Sequence, residues 1–316
     1  MTVPAASAVS VMSRARAAGS SQRTLLSGFV WAGLSLAIFS GWFVVTRFGM
    51  LRELRIWDVM ALRFGIGAIL LLPVLLGSTG RLPPRAWLEG LLFALLWGAP
   101  FVLFVALGLR LTTAAEASAI TPALMPVFAG LIGWLALGER PGPARLLGYL
   151  AILLGLTGLV ARGASSSGWP SLDGLASLTV AAAMWATYTL RFRRSLLTPI
   201  QSAALICFWS AILFLPFYLG LGLSRLGNAA PGELLFQAIY QGVLMSVVAL
   251  VAYNRAVAAL GARAAAAIIA LLPAVASAVA VPILGEIPSP IGAAALAVIA
   301  VGVLLAGRPA PFPKPT

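Results

Sequence analysis

The stretch Leu137-Gly138-Glu139-Arg140-Pro141-Gly142-Pro143 returns 147 residues later as Leu284-Gly285-Glu286-Ile287-Pro288-Ser289-Pro290. The same offset lays Leu124-Met125-Pro126 on Leu271-Leu272-Pro273. Apolar sequence aligns with itself easily, but Pro and Gly-Glu at one constant shift are not generic apolar positions, so the chain carries an internal repeat. Slightly smaller offsets pair Gly28 with Gly174 and Pro73 with Pro216, extending the correspondence back through both halves.

The sequence around these turns is made for lipid. Of 316 residues, 61% are hydrophobic and 9% charged, against roughly 25% charged in soluble domains; the mean hydropathy is +1.03. Apolar runs near the length of a helical bilayer crossing recur from Leu26 to Ala306. Bounded by Arg, Pro and Gly, they predict ten spans: 26–46, 57–76, 87–107, 113–137, 145–161, 172–190, 200–222, 233–254, 263–283 and 289–307. The third and fourth are joined so tightly that they must be antiparallel. Each half then holds five spans, and an odd number turns the second copy upside down. The expected fold is an all-α membrane protein of ten transmembrane helices, arranged as inverted five-helix repeats over 25–163 and 170–307. Residues 1–24 lack the apolar core and cleavage site of a signal peptide and read as a disordered cytosolic tail, with 308–316 as a second tail.

The net charge of +13 would suggest nucleic acid if it formed one patch, but the arginines are scattered through short loops between spans. Topology accounts for them. With both termini cytosolic, fourteen basic residues fall inside, among them Arg14, Arg140, Arg145, Arg191, Arg194, Arg255, Arg263 and Lys314; six fall outside, Arg47, Arg52, Arg55, Arg110, Arg162 and Arg225. The positive-inside rule therefore predicts an inner (plasma) membrane protein with cytosolic termini. Cys207 is alone in an apolar run, which excludes disulfides and cysteine metal clusters. The absence of histidine removes Ser-His-Asp and Cys-His nucleophiles, HExxH zinc helices and histidine proton relays together. No enzyme, metal or cofactor is expected.

Candidate functional residues follow from what a span should not contain. Arg63 lies about two turns inside the second span, where a charge costs at least about 2.5 kcal/mol and must face a cavity or a partner. Glu116, one turn into the fourth span from the same side, is the expected partner; Arg63 either holds a substrate carboxylate or forms an outer gate with Glu116, against the ordinary reading of a fixed ion pair or snorkelling. Trp97 stands mid-span before Pro100, whose freed carbonyls need protein or cavity water. Trp185, Tyr188, Trp209, Ser210, Gln241, Met245 and Ser246 are candidates for the same cavity wall, since aromatic faces with a few polar groups suit flat apolar solutes. Each of these also has an ordinary reading as a lipid-facing or packing residue. Pro122, Pro126 and Pro273 read as kinks. Gly148, Gly155, Gly158, Gly292 and Gly302 read as close-packing positions, and Glu139 and Glu286 as turn anchors.

Ala117-Ser118-Ala119-Ile120 to Pro126, Leu137-Gly138-Glu139-Arg140, Gly242-Val243-Leu244, Tyr253-Asn254-Arg255-Ala256, Leu260-Gly261-Ala262, Leu271-Leu272-Pro273 and Leu284-Gly285-Glu286 together resemble the EamA-type drug/metabolite transporters, as do Trp185-Ala186 and Ala61-Leu62-Arg63-Phe64. The resemblance covers nearly the whole chain, departing at Phe39-Ser40-Gly41, where Trp-Gly-Ser is common. It implies a ten-helix fold whose central cavity is lined by helices 1–4 and 6–9, with helices 5 and 10 peripheral. It also implies alternating-access export of amino acids, as in the aromatic amino-acid exporters, or of related metabolites. Expected partners are a small-molecule substrate and the lipid bilayer, with the chain a monomer or homodimer. A non-transporting scaffold, or an uptake carrier for sugars or nucleoside-like compounds, are the alternatives. Apart from Glu116, the acidic residues fall in loops, turns or span ends, so obligatory proton coupling is not expected.

Overall fold

In lipid an apolar segment has no hydrogen-bond partner for its backbone but itself, which leaves helices as the only elements open to these runs. The computed structural model describes residues 24–43, 45–46, 54–77, 82–111, 114–167, 171–284 and 289–307, with side chains except at 114–117, 137, 162–167 and 280–284. Among the described residues there is no strand. The helices are α1 (Thr24–Phe43), α2 (Ile56–Leu76), α3 (Pro84–Leu111), α4 (Ala114–Leu137), α5 (Pro143–Ser167), α6 (Leu172–Phe192), α7 (Pro199–Gly220), α8 (Pro231–Leu260), α9 (262–284) and α10 (Pro290–Ala306). Eight of them are long and apolar enough to cross a membrane; α6 and α10 are outside that count, α10 being 17 residues long. Both tails, the Glu116 side chain and Glu286 lie outside the described residues.

Sequence punctuation sets where several helices begin. Pro84, Pro199, Pro231 and Pro290 open α3, α7, α8 and α10, where a missing N–H costs nothing and the fixed φ is already helical. Thr198 and Ser289 cap the next turns from Gln201 N and Gly292 N. Asp58, fully buried, caps α2 by accepting from Arg55 N (2.8 Å) and ties it to the end of α7 through Tyr218 Oη (2.6 Å) and Arg225 N (2.8 Å). The sequence places Asp58 at a span end; the structure adds that it joins the two halves there.

Contacts fix how the helices alternate. Ser171 N donates to Leu111 O, and Gln237 Nε2 to Val45 O (3.0 Å), so the end of α3 meets the start of α6 and the end of α1 the start of α8. Together with the Asp58 cluster these define one face. On the other, the termini face, Trp31 of α1 lies under Arg255 near the end of α8, and Glu139 after α4 forms an ion pair with Arg263 at the start of α9. Glu139 therefore reaches across to the other half, where its position in the sequence suggests only a turn anchor.

The packing pattern exchanges the halves. α3 packs on α6 and α7; correspondingly, α8 hydrogen-bonds to α1 and packs on α2. α2–α7, α4–α9 and α5–α10 are pairs that this exchange maps onto themselves. The α5–α10 seam depends on Gly148 and Gly302: a Cβ on either would come within 2.5–2.8 Å of the opposite backbone. Large apolar side chains such as Leu76 and Leu135, about three-quarters exposed, cover the outside, as expected where lipid is the solvent.

Among the described residues four helices depart from regular α geometry in the interior: α9 is interrupted by a turn at Ala270 and Leu271, between Ala262–Ile269 and Leu272–Leu284, and α2, α3 and α8 are irregular as well. α3 breaks at Gly98 (φ −96°, ψ −138°). Pro100 cannot rejoin the ladder, the freed Ala99 N–H is taken by Ser210 Oγ (3.3 Å), and Val102 N restarts the helix on Gly98 O. α2 and α8 widen into π-helix at Leu62–Ile66 and Ala238–Ala249, and the two wide segments lie against each other. A Cβ on Gly67 would strike Ser246 and Cys207, and one on Gly242 would strike Ile66, so both glycines permit the approach. π segments are uncommon and concentrate at functional sites.

Candidate functional site

The breaks surround a cavity lined by helices from both halves: Phe39, Trp42 and Phe43 of α1, Arg63 of α2, Trp97, Phe101 and Val105 of α3, Thr121 and Pro122 of α4, Trp185 of α6, Met245 of α8 and Leu272 of α9. Its free interior is about 30 Å³, space for roughly two waters. Because α1 ends and α2 begins on the face opposite the termini, Phe43 and Arg63 place the cavity from mid-depth toward that face.

On the termini side the cavity has a floor. Trp97 stacks on Tyr188 (centroids 5.7 Å, planes 10° apart) and on Tyr253 (6.1 Å, 20°). Tyr188 Oη donates to Asn254 Oδ1 (2.6 Å) with Ser202 Oγ at 3.2 Å, and Asn254 Nδ2 donates to Pro199 O (3.3 Å). Thr189 Oγ1 donates to Trp185 O (2.9 Å), so the Tyr253 hydroxyl donates to Thr189 (2.6 Å). Both tyrosines are fully buried. Polar groups satisfied in this way rigidify a core, and this layer joins α6, α7 and α8 beneath the aromatic cluster.

The walls are aromatic. Trp97 lies 4.4 Å from both Trp185 and Phe101, and Phe39 meets Trp97 and Trp185 edge-on at 6.0 Å. Arg63 is 3% exposed, with its guanidinium carbon 6.0 Å from the Trp42 ring and 5.4 Å from the Phe64 ring. Its backbone carbonyl accepts from Ser246 Oγ, which also lies 2.8 Å from Gln241 O. These contacts hold the two wide helical segments together.

Of the residues singled out from the sequence, Arg63, Trp97, Trp185 and Met245 line the cavity. Tyr188 belongs to the floor. Ser210 caps the break in α3 and Ser246 bridges α2 and α8. Gln241 stands one layer back, where its Oε1 accepts from Trp42 Nε1 (2.9 Å) and its Nε2 donates to Thr46 and Gln237. Trp209 is away from the cavity, between α3 and α7, its Nε1 donating to Trp87 O (3.0 Å). The Glu116 side chain, expected beside Arg63, is outside the described residues. Phe39, Trp42, Phe43, Phe101, Val105, Thr121 and Leu272 enter the wall without having been singled out; the i, i+4 spacing of Phe39/Phe43 and of Trp97/Phe101/Val105 is a signal for four of them, and none marks Trp42, Thr121 or Leu272.

A model of the EamA-like transporter family matches residues 26–161 and, separately, 173–308. A solved structure described only as "Crystal structure of protein" shares the fold with a TM-score of 0.66 at 20% identity, over 90% of this chain and 96% of that one. No curated protein matches the sequence.

Proposed function

The chain belongs to the EamA-like transporter family, and from that premise we propose that this multi-pass membrane protein is a ten-span carrier of two inverted repeats, 25–163 and 170–307, exporting amino acids, aromatic ones among them, or related small metabolites. The observation that carries the reading is the cavity at the junction of the halves, sealed below by the Tyr188–Tyr253 layer and too small in this conformation for a metabolite. A carrier needs such a site and must enlarge it on alternate sides. Support for the inversion comes from the packing pattern, which exchanges α3 with α8 and pairs α2 with α7, and from the odd number of helices per repeat. The substrate-contact residues in this reading are Arg63, Trp97, Trp185 and Met245.

The test is efflux from proteoliposomes loaded with labelled amino acids and their deaminated counterparts. Flux above protein-free vesicles for at least one class is the expected result, and its absence for all of them sinks the reading. We further expect an imposed pH gradient, with the membrane potential clamped, to leave the rate within about twofold, because the chain has no histidine and the buried Asp58 is held at one face by three hydrogen bonds. Strong acceleration abolished by Glu116→Gln would instead make Glu116 a coupling site.

The fourteen-to-six distribution of basic residues supports cytosolic termini in an inner membrane. Reporter fusions at Thr316 and after Arg162 should then report opposite sides of the membrane, with Thr316 inside. An external C-terminus would reverse the orientation.

A further inference from the structure

Three hydrogen-bond donors on residues that line the cavity have no acceptor among the described residues: Arg63 Nε, Trp97 Nε1 and Trp185 Nε1. Trp185 Nε1 lies near the Tyr253 hydroxyl, but without hydrogen-bond geometry. All three residues are at most 3% exposed. Buried donors in native structures are nearly always satisfied, so three orphans around one cavity call for an acceptor that arrives from outside the protein.

The rest of the wall shows what that acceptor is attached to. Trp42 Nε1 is committed to Gln241, and the Thr121 hydroxyl to Leu178 O (3.2 Å). The remaining lining groups are rings, aliphatic side chains and a thioether. Among the described residues the wall thus offers one positive charge, free N–H donors and no carboxylate. In the enlarged site that the carrier reading requires, a substrate carboxylate would meet Arg63 and a tryptophan N–H, with its apolar body against the rings of Phe39, Phe101 and Trp185. An ammonium brought in on the same molecule would lose its hydration and stand near the like charge of Arg63, and the cation–π attraction of the ring faces does not offset that loss.

We propose that the cavity selects organic monoanions, carboxylates with a flat apolar body and no amino group, over zwitterionic amino acids. The proposal rests on the carrier reading above and chooses between the two substrate classes which that reading admits.

Counterflow in proteoliposomes of the full chain at about pH 8, with protein-free vesicles subtracted, separates the two. The probes share a phenylethyl unit and differ in the charged groups it carries: 3-phenylpropionate, phenylalanine and phenylethylamine. 3-Phenylpropionate should exchange about tenfold faster than phenylalanine, since both bring the matched carboxylate but burying the extra ammonium beside Arg63 costs at least about that factor; phenylethylamine, which lacks the carboxylate and its hydrogen bonds, should stay at background. Trp97→Phe and Trp185→Phe keep a ring but remove the donor, and each should raise the half-saturating concentration of 3-phenylpropionate about three- to tenfold with little change in maximal rate. Phenylalanine moving as fast as the anion overturns the proposal and leaves the carrier standing. Unchanged half-saturation in both variants overturns the donor assignment. No exchange of any probe overturns the proposal and the carrier reading together.

Discussion

Arg63→Ala should lower flux by about ten- to a hundredfold while leaving the protein in the membrane at close to its normal level. The flux estimate is the loss of a charged hydrogen bond to substrate, about 1.5–3 kcal/mol. The stability estimate balances two terms. Removing the side chain opens a hole beside Trp42 and Phe64, but it also relieves a buried charge that costs at least about 2.5 kcal/mol within a membrane. Buried charges of this kind are kept for function more often than for folding. Membrane abundance and efflux must be measured on the same preparation. If abundance collapses, Arg63 serves as a structural ion pair; if flux is unchanged, it is neither ligand nor gate.

Gly302→Leu should prevent stable docking of α10. Even its first carbon would lie 2.7 Å from Gly148 O and 2.8 Å from Ile152 N, and backbone cannot move aside as a side chain can. Overpacking typically costs about 1–3 kcal/mol, and here the helices must also separate along a seam that buries Ile152, Ile299 and Val303. A total above about 3 kcal/mol corresponds to a fall of roughly 10 °C in the unfolding midpoint, measurable in detergent by intrinsic fluorescence. Gly158→Ala is the matched control: its Cβ would meet Ala295 Cβ at 3.8 Å, an ordinary contact, and the midpoint should move by less than about 2 °C. Equal effects from the two substitutions would refute the backbone-contact account.

These two cases also show what the sequence could and could not reveal. The repeat was legible because Pro126/Pro273 and Gly138/Gly285 are not interchangeable with the apolar residues around them, Gly138 for instance standing at φ +66°, and such positions stand out in a chain that is otherwise uniformly apolar. Helix ends were legible to within a few residues for the same reason, Pro84, Pro199, Pro231 and Pro290 standing where helices begin. The largest differences are six residues each, at the ends of α5, which runs on to Ser167, and of α8, which runs on to Leu260; in α8 Arg255 lies on the Trp31 ring instead of ending the helix. Azimuth was not legible. A span apolar on all sides carries no amphipathic stripe to mark its inner face, so depth alone proposed Tyr188, Trp209, Ser210, Gln241 and Ser246. Each of these proves to be engaged in floor, bridging or other interhelical contacts. The glycines on α5 and α10 had the same ambiguity: Gly148, Gly155 and Gly302 stand at close approaches, and Gly158 does not. The π segments of α2 and α8 had no sequence marker, because a widened turn needs room beside it and not a particular residue.

The Glu139–Arg263 pair makes the two faces of the protein energetically unequal. The offset that lays Glu139 on Glu286 lays Arg263 on Glu116, so the repeat encodes no matching pair of opposite charges for the other side. Both partners are more than a third exposed, which limits the bond to about 0–1 kcal/mol, at most a fivefold tilt in the resting population toward the form closed at the termini face. In the uncoupled alternating-access cycle proposed above, a tilt of that kind cannot set the direction of net movement, since such a carrier at equilibrium must leave solute activity equal on both sides. In that cycle it sets the ratio of the opening rate to the closing rate at the termini face, which falls by the same factor. That factor should shrink as ionic strength rises and the pair is screened.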